Sequence, residues 1–153
     1  MPPEEELEAV ARAIIDDNRY MTLGTADMAG RPWASPVWYA PDGYREFFWV
    51  SHPDVQHSRN VAARPEIAIV IFDSRAPVGT GQGVYMSAVA VQVADGELER
   101  GMGVFSRRSQ LQGDRAWTQA DVQPPAALRL YCANVSEHFV LGTHDRRIPV
   151  SLE

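Results

Sequence analysis

Residues 20–51, YMTLGTADMAGRPWASPVWYAPDGYREFFWVS, carry the reading that decides the fold. Short segments rich in aromatic and β-branched residues alternate there with two turn signals, Asp27-Met28-Ala29-Gly30 and Pro41-Asp42-Gly43. That alternation is the signature of consecutive β-hairpins. Working outward from it, strands are expected at about residues 20–26, 31–40, 46–51, 66–73, 84–95 and 127–137, with a last one at 147–151. Ahead of them Leu7, Val10, Ala11, Ile14 and Ile15 recur at helical spacing, and Glu4, Glu5, Glu6 and Glu8 crowd a first turn whose dipole favours negative charge. This spacing predicts a helix at about 4–17. Between Pro53 and Pro65 a second, short helix is expected, because proline suits a helix's first turn and stops its last. Its apolar side is Val55, Ser58, Val61 and Ala62, with Gln56, Arg59, Asn60 and Ala63 on another face. A third helix is expected at about 97–109 on Leu98, Met102 and Phe105, and after it an irregular stretch, 110–126, that carries Trp117. Antiparallel hairpins broken by so few helices favour a mainly β (α+β) architecture, a six- to seven-stranded antiparallel barrel with peripheral helices.

Composition narrows what such a barrel does. The 153 residues fit one domain, expected over 1–153, and 45% hydrophobic with 22% charged residues is the balance of a chain that buries a core. The formal charge of −6 gives no electrostatic reason to approach nucleic acid or an anionic membrane. All 14 basic residues are arginine, so a lysine Schiff base and a Walker phosphate loop are both excluded. The single cysteine, Cys132, makes no internal disulfide and reads as a buried small hydrophobe. The longest apolar run, Ile67 to Phe72, is far short of the roughly 18 residues that cross a bilayer, and the acidic start is unlike a signal peptide, so the expected location is the cytoplasm.

Several motifs point away from chemistry. Gly79-Thr80-Gly81-Gln82-Gly83 lacks dinucleotide spacing and leads into a strand, so a flexible connection is the plainer reading, with Gln82 free to aim an amide at a ligand. His52, His57, His138 and His144 form no metal-binding spacing, and no serine sits in a nucleophile elbow. The aromatic set Trp33, Trp38, Tyr39, Tyr44, Phe47, Phe48 and Trp49 mostly fills the barrel, but some of it can flank a planar ligand. Shortly after this set, His57, Ser58 and Arg59 fall on one short helix, and arginine with hydroxyl groups suits a phosphate. Aromatic walls beside an anion clamp suit flavin mononucleotide (FMN). Asp54, near the start of the same helix, competes with an anion for the positive helix end.

At these residues the chain resembles the pyridoxamine 5′-phosphate oxidase-like flavin-binding split barrels. The resemblance runs through the leading helix, Met21-Thr22-Leu23-Gly24-Thr25, the segment Gly30 to Tyr39, Phe48-Trp49-Val50-Ser51 and the segment Ser58 to Pro65, nearly the whole chain. It implies a homodimer of split barrels with FMN in each of two clefts between protomers. Ser35, Pro36, Val37 and Trp38 would run along the isoalloxazine and ribityl chain, and Trp49, Val50 and Ser51 would continue that wall, with Ser51 near the phosphate. Arg59, joined by His57 and Ser58, would bind the phosphate, and Gln82 would face the flavin ring. Thr143-His144-Asp145-Arg146 is similar to the family's H-D-R ending, which implies Arg146 near the flavin and His144 on the substrate side. An aromatic near the C-terminal end also meets flavin in the family, a place for Phe139 or His138.

The family's oxidases hold both phosphates with lysine and arginine, and this chain has no lysine, a departure that argues against vitamin B6 oxidation. The expectation is therefore an FMN-dependent oxidoreductase with a small-molecule donor and acceptor and no catalytic side chain, its substrate cleft rimmed by Trp33, Trp38 and Trp117. Two alternatives keep the fold: a deazaflavin-dependent reductase, whose cofactor tail would need cations such as Arg107 and Arg108, and a non-catalytic flavin or haem binder.

Overall fold

The structure, a computed structural model, describes residues 2–153. Helix α1 (Glu4–Asp17) precedes strands β1 (Tyr20–Ala26), β2 (Pro32–Trp38), β3 (Ala40–Asp42) and β4 (Glu46–Ser51). Helix α2 (Gln56–Ala63), strands β5 (Glu66–Phe72) and β6 (Gly83–Gln92), helix α3 (Leu98–Leu111) and strands β7 (Arg129–Leu141) and β8 (Arg147–Val150) complete the order, with single 3-10 turns between. The strands form one antiparallel sheet in the order β2-β1-β5-β6-β7-β4-β3, with β8 added beside β7. The sheet curls into a half-barrel in which edge strand β2 and strand β4, next to the opposite edge, touch without pairing. That unpaired seam makes the barrel split, and it positions the site.

Strand parity decides which residues fill the barrel, because alternate side chains point to opposite faces. Ile67, Ile69 and Ile71 of β5 point inward, as do Met21 and Leu23 of β1 and Phe47 and Trp49 of β4. Leu7, Ala11 and Ile15 of α1 close the same core. A second core lies outside the sheet, where Phe48 of β4 and Leu130 and Cys132 of β7 pack under Leu98, Met102 and Phe105 of α3. Gly101 permits that approach: a Cβ there would lie 2.7 Å from Leu130 and 3.0 Å from Phe48.

The last turn of α1 is held by distant side chains that satisfy carbonyls left open at any helix end. The Tyr39 hydroxyl donates to Ile15 O at 2.6 Å, and Arg108 donates to Asp16 O and Asn18 O. Burial pushes the Tyr39 hydroxyl's pKa well above its ordinary value, so it stays a donor.

Three expectations change in detail. The strand expected at 31–40 ends at Trp38, and Ala40–Asp42 starts a separate strand that pairs only with β4. The strand expected to end at 137 runs on to Leu141, because β8 folds back on it. On α2 the buried residues are Ser58, Asn60 and Val61, while Ala62 is exposed. Asn60 turns inward because its amide has partners there: it donates to Thr25 Oγ1 and accepts from Gln56. The Cys132 thiol is buried and its pKa is pushed up to about 12 by that burial, which keeps it unreactive. No helix among the described residues is long and apolar enough to cross a membrane.

Candidate ligand-binding cleft

A cavity of about 520 Å³ opens along the β2/β4 seam, within the range of small-molecule sites. Pro36, Val37 and Trp38 of β2 and Val50 and Ser51 of β4 form its floor. Phe105, Ser109 and Gln112 from α3 and its end, together with Trp117 and Leu128, form the opposite wall. Its aromatic part is rigid. Trp38 and Trp117 each stand edge-on to Phe105, at 4.9 and 5.2 Å between ring centroids. The Trp38 indole N–H donates to Gln112 Oε1 at 2.6 Å, and Arg115 lies 3.6 Å over the Trp117 ring. Such contacts fix the planes of the rings.

The polar part of the cavity is a pair. Ser51 ends β4, His57 lies in the first turn of α2, and the Ser51 Oγ to His57 Nε2 distance is 2.8 Å. Burial holds the His57 imidazole below its ordinary pKa, so it is neutral at pH 7. Arg19, Tyr20 and Asp114 are the other titratable residues that line the cavity. No cluster of histidine, cysteine or acidic residues able to hold a metal exists among the described residues.

The sequence profile described as pyridoxamine 5′-phosphate oxidase matches residues 7–139, from α1 to the far end of β7. The chain belongs to the pyridoxamine 5′-phosphate oxidase-like split-barrel family. Solved structures of this split-barrel family share its fold. A haem-binding protein from Mycobacterium smegmatis superposes with a TM-score of 0.74 at 21% identity over 99% of this chain and 59% of that one. The haem storage protein HutZ of Vibrio cholerae gives 0.67 at 19% identity, over 85% and 90% of the two chains. An F420 reductase gives 0.59 at 17% identity, over 84% and 94%. The chain thus spans about three-fifths of the mycobacterial protein's length. No curated protein matches it in sequence.

Seven of the residues that the family resemblance or the rim expectation singles out line this one cavity: Pro36, Val37, Trp38, Val50, Ser51, His57 and Trp117. Ser35 is on β2 beside them, facing Leu23 across the pair. Trp49 is fully buried on the inner face, stacked on Tyr131, and its indole N–H has no partner. Ser58 is also buried without a partner, beside a separate groove lined by Val61 and Tyr131. Arg59 is exposed and bonded to Gln56 on α2, away from the cavity lining. Trp33 stands half-exposed at the other end of β2.

The remaining four gather elsewhere. The Gln82 amide bridges Leu141 N and O and the Gly83 N–H, which ties β6 to β7. Phe139 pairs with Tyr85 on the sheet, while His144, at φ 57°, and Arg146 are exposed in the turn before β8. Arg129 is the β7 partner of Ser51, and Phe139 lies ten residues further on, roughly 30 Å along a strand. One copy of the chain therefore cannot bring both groups to a single ligand. His138 is buried and bonded to the Tyr44 carbonyl, so Phe139 is the more accessible aromatic at that end. Of the arginines considered for a cofactor tail, Arg108 is committed to α1 and Arg107 lines a different groove.

Sequence reasoning missed Arg19, Tyr20, Ser109, Gln112 and Asp114. Phe105 was visible only as a helix core position; its spacing gave no sign that α3 roofs a ligand cavity.

Proposed function

We propose that the chain is an FMN-dependent oxidoreductase that works as a homodimer, with the flavin in the β2/β4 cleft and its phosphate toward Ser51 and His57. The observation that carries this reading is the cavity itself. Rigid aromatic rings and a hydrogen-bonded hydroxyl–imidazole pair share one space of flavin size. A bound flavin supplies the electron transfer between donor and acceptor. The chain's own groups bind and orient it. Trp38, locked by Gln112, and Phe105 and Trp117 exclude water from the ring, while Ser51 and His57 offer hydrogen bonds to the phosphate and Arg19 a fixed positive charge.

The homodimer is supported by an uncovered apolar sheet face that borders the cleft. Tyr20, Phe72, Val89 and Val91 are 60%, 52%, 45% and 46% exposed, and Ala68 and Val70 lie between them on β5. Patches of this kind mark interaction surfaces. Tyr85 and Phe139 continue the face toward the far end of the sheet. A second copy seated there would cover one cleft and bring its Gln82, Phe139, His144 and Arg146 end to it, which fits the wide separation of the two groups within one chain.

A haem-binding role without turnover is the second reading. His57 is the one imidazole lining the cleft, and a neutral imidazole ligates iron. A deazaflavin tail finds less support, since Arg19 is the one guanidinium there. Loading the purified protein with FMN and following oxidation of NADH and NADPH separates these. Sustained turnover is the expected result. Haem uptake with a Soret band, together with no nicotinamide turnover, would overturn the enzymatic reading.

A further inference from the structure

Any phosphate held in this cleft meets an unusual shortage of fixed positive charge. The chain has no lysine. Arg59 is bonded to Gln56 outside the cavity lining, Arg64 to Met28 O, and Arg108 to the end of α1. Arg19 does line the cavity, but Asp114 lines it too and offsets that charge. Asp54, exposed in the turn before α2, and Arg59, exposed on α2, lie outside the cavity lining. Arg115, over the Trp117 ring, is paired with Asp121, and Arg129, the β7 partner of Ser51, donates to Ala126 O and Leu128 O, so the fixed charges that line the cavity are Arg19 and Asp114 alone.

We propose that His57 supplies the missing charge by taking a proton from solvent when a phosphomonoester binds at Ser51. This deepens the FMN reading above and rests on it. The geometry gives the proton a definite place. In the unliganded pair the Ser51 hydroxyl and His57 Nε2 share one hydrogen bond at 2.8 Å. Once the imidazole is protonated, both ring nitrogens are donors. Nε2–H then donates to Ser51 Oγ, and the Ser51 hydroxyl hydrogen, no longer needed by the ring, turns to a phosphate oxygen. One proton is taken up, no bond to carbon or phosphorus changes, and the phosphate gains a charge-assisted hydrogen-bond chain. Burial already keeps His57 uncharged at neutral pH; an anion in contact opposes that effect, because a nearby opposite charge favours the charged form. The outward residues of β2 and β4 that line the cavity, Pro36, Trp38 and Val50, have no ionisable side chain.

FMN and riboflavin, which differ only in the phosphate, provide the test. Dissociation constants for both are measured from about pH 6.5 to about pH 8.5, where a phosphomonoester is already mostly dianionic. Calorimetry in buffers of different ionisation enthalpy counts protons at the same time. The expected result is that FMN binding weakens by up to about tenfold per pH unit at the alkaline end, with up to one proton taken up, while riboflavin binding stays flat. His57→Gln keeps a hydrogen-bond donor beside Ser51 and cannot charge. Its urea unfolding transition shows that it is folded, and it should bind FMN weakly with no pH dependence. Tight FMN binding without proton uptake, or the same pH dependence for riboflavin, overturns the proposal and leaves the FMN reading standing. Failure of both flavins to bind at every pH overturns the FMN reading, and the proposal with it.

Discussion

At the scale of single residues, two imidazoles decide how the protein responds to acid. Burial holds both His57 and His138 below the ordinary value. His138 lies 2.5 Å from the Tyr44 carbonyl and donates its Nε2–H there, with Arg45 nearby as a further charge opposing protonation. A base whose folded pKa is depressed costs nothing while both states are neutral. As pH falls below about 6.5 the unfolded chain binds protons that the folded chain refuses, so stability falls. The carboxyls of Asp27, Asp73 and Asp121, which backbone N–H groups hold below their usual range, matter only below about pH 4. Melting temperature is therefore expected to drop between about pH 7 and about pH 5, and His138→Gln to flatten part of that drop. A midpoint that is level or rises over that interval contradicts the assignment. Residue identity was only partly legible from sequence. Ser51 and His57 stand six apart, and no local rule says that the end of a strand and the first turn of the next helix will meet. Trp49 could have been read better, since it shares strand parity with Phe47 and that parity puts it in the core.

At the scale of elements, the cleft depends on α3 lying close against the sheet. Gly101 is the contact that sets this distance, and a methyl group there meets Leu130 and Phe48 inside van der Waals range. Gly101→Ala should destabilise the fold by about 1–3 kcal/mol through overpacking, despite alanine's better helix propensity. Urea unfolding measures it; an unchanged or raised midpoint would mean that α3 can shift outward at no cost. The same element shows why strands were easier to foresee than the site. Alternating Ile67, Ile69 and Ile71, or Leu98, Met102 and Phe105 at helical spacing, declare elements from local pattern. The lid over the cavity does not. Gln112, Asp114 and Trp117 lie in a stretch without period, and their positions come from tertiary contacts, Gln112 with Trp38 and the Trp117 backbone N–H with Ser106. The short β3 escaped notice for a related reason, because three residues containing Pro41 carry no strand signal and only pairing with β4 defines them.

At the scale of the whole molecule, the proposed function turns on a cleft that we infer a second copy of the chain completes. The hairpins foretold a barrel, but the seam between β2 and β4, and the crossing that sets β1 beside β5 and β4 beside β7, are long-range choices invisible to local patterning. The family resemblance supplied what periodicity could not, the expectation of a ligand cleft at the edge of a split barrel. The exposed apolar face of β1, β5 and β6 is where a partner copy is expected. The most direct measurement is native mass spectrometry of the protein titrated with FMN. The expected species has twice the 17.0 kDa chain mass and takes up one FMN molecule per chain. A monomer that binds FMN as tightly, or a dimer that binds none, would contradict a cleft completed between two copies.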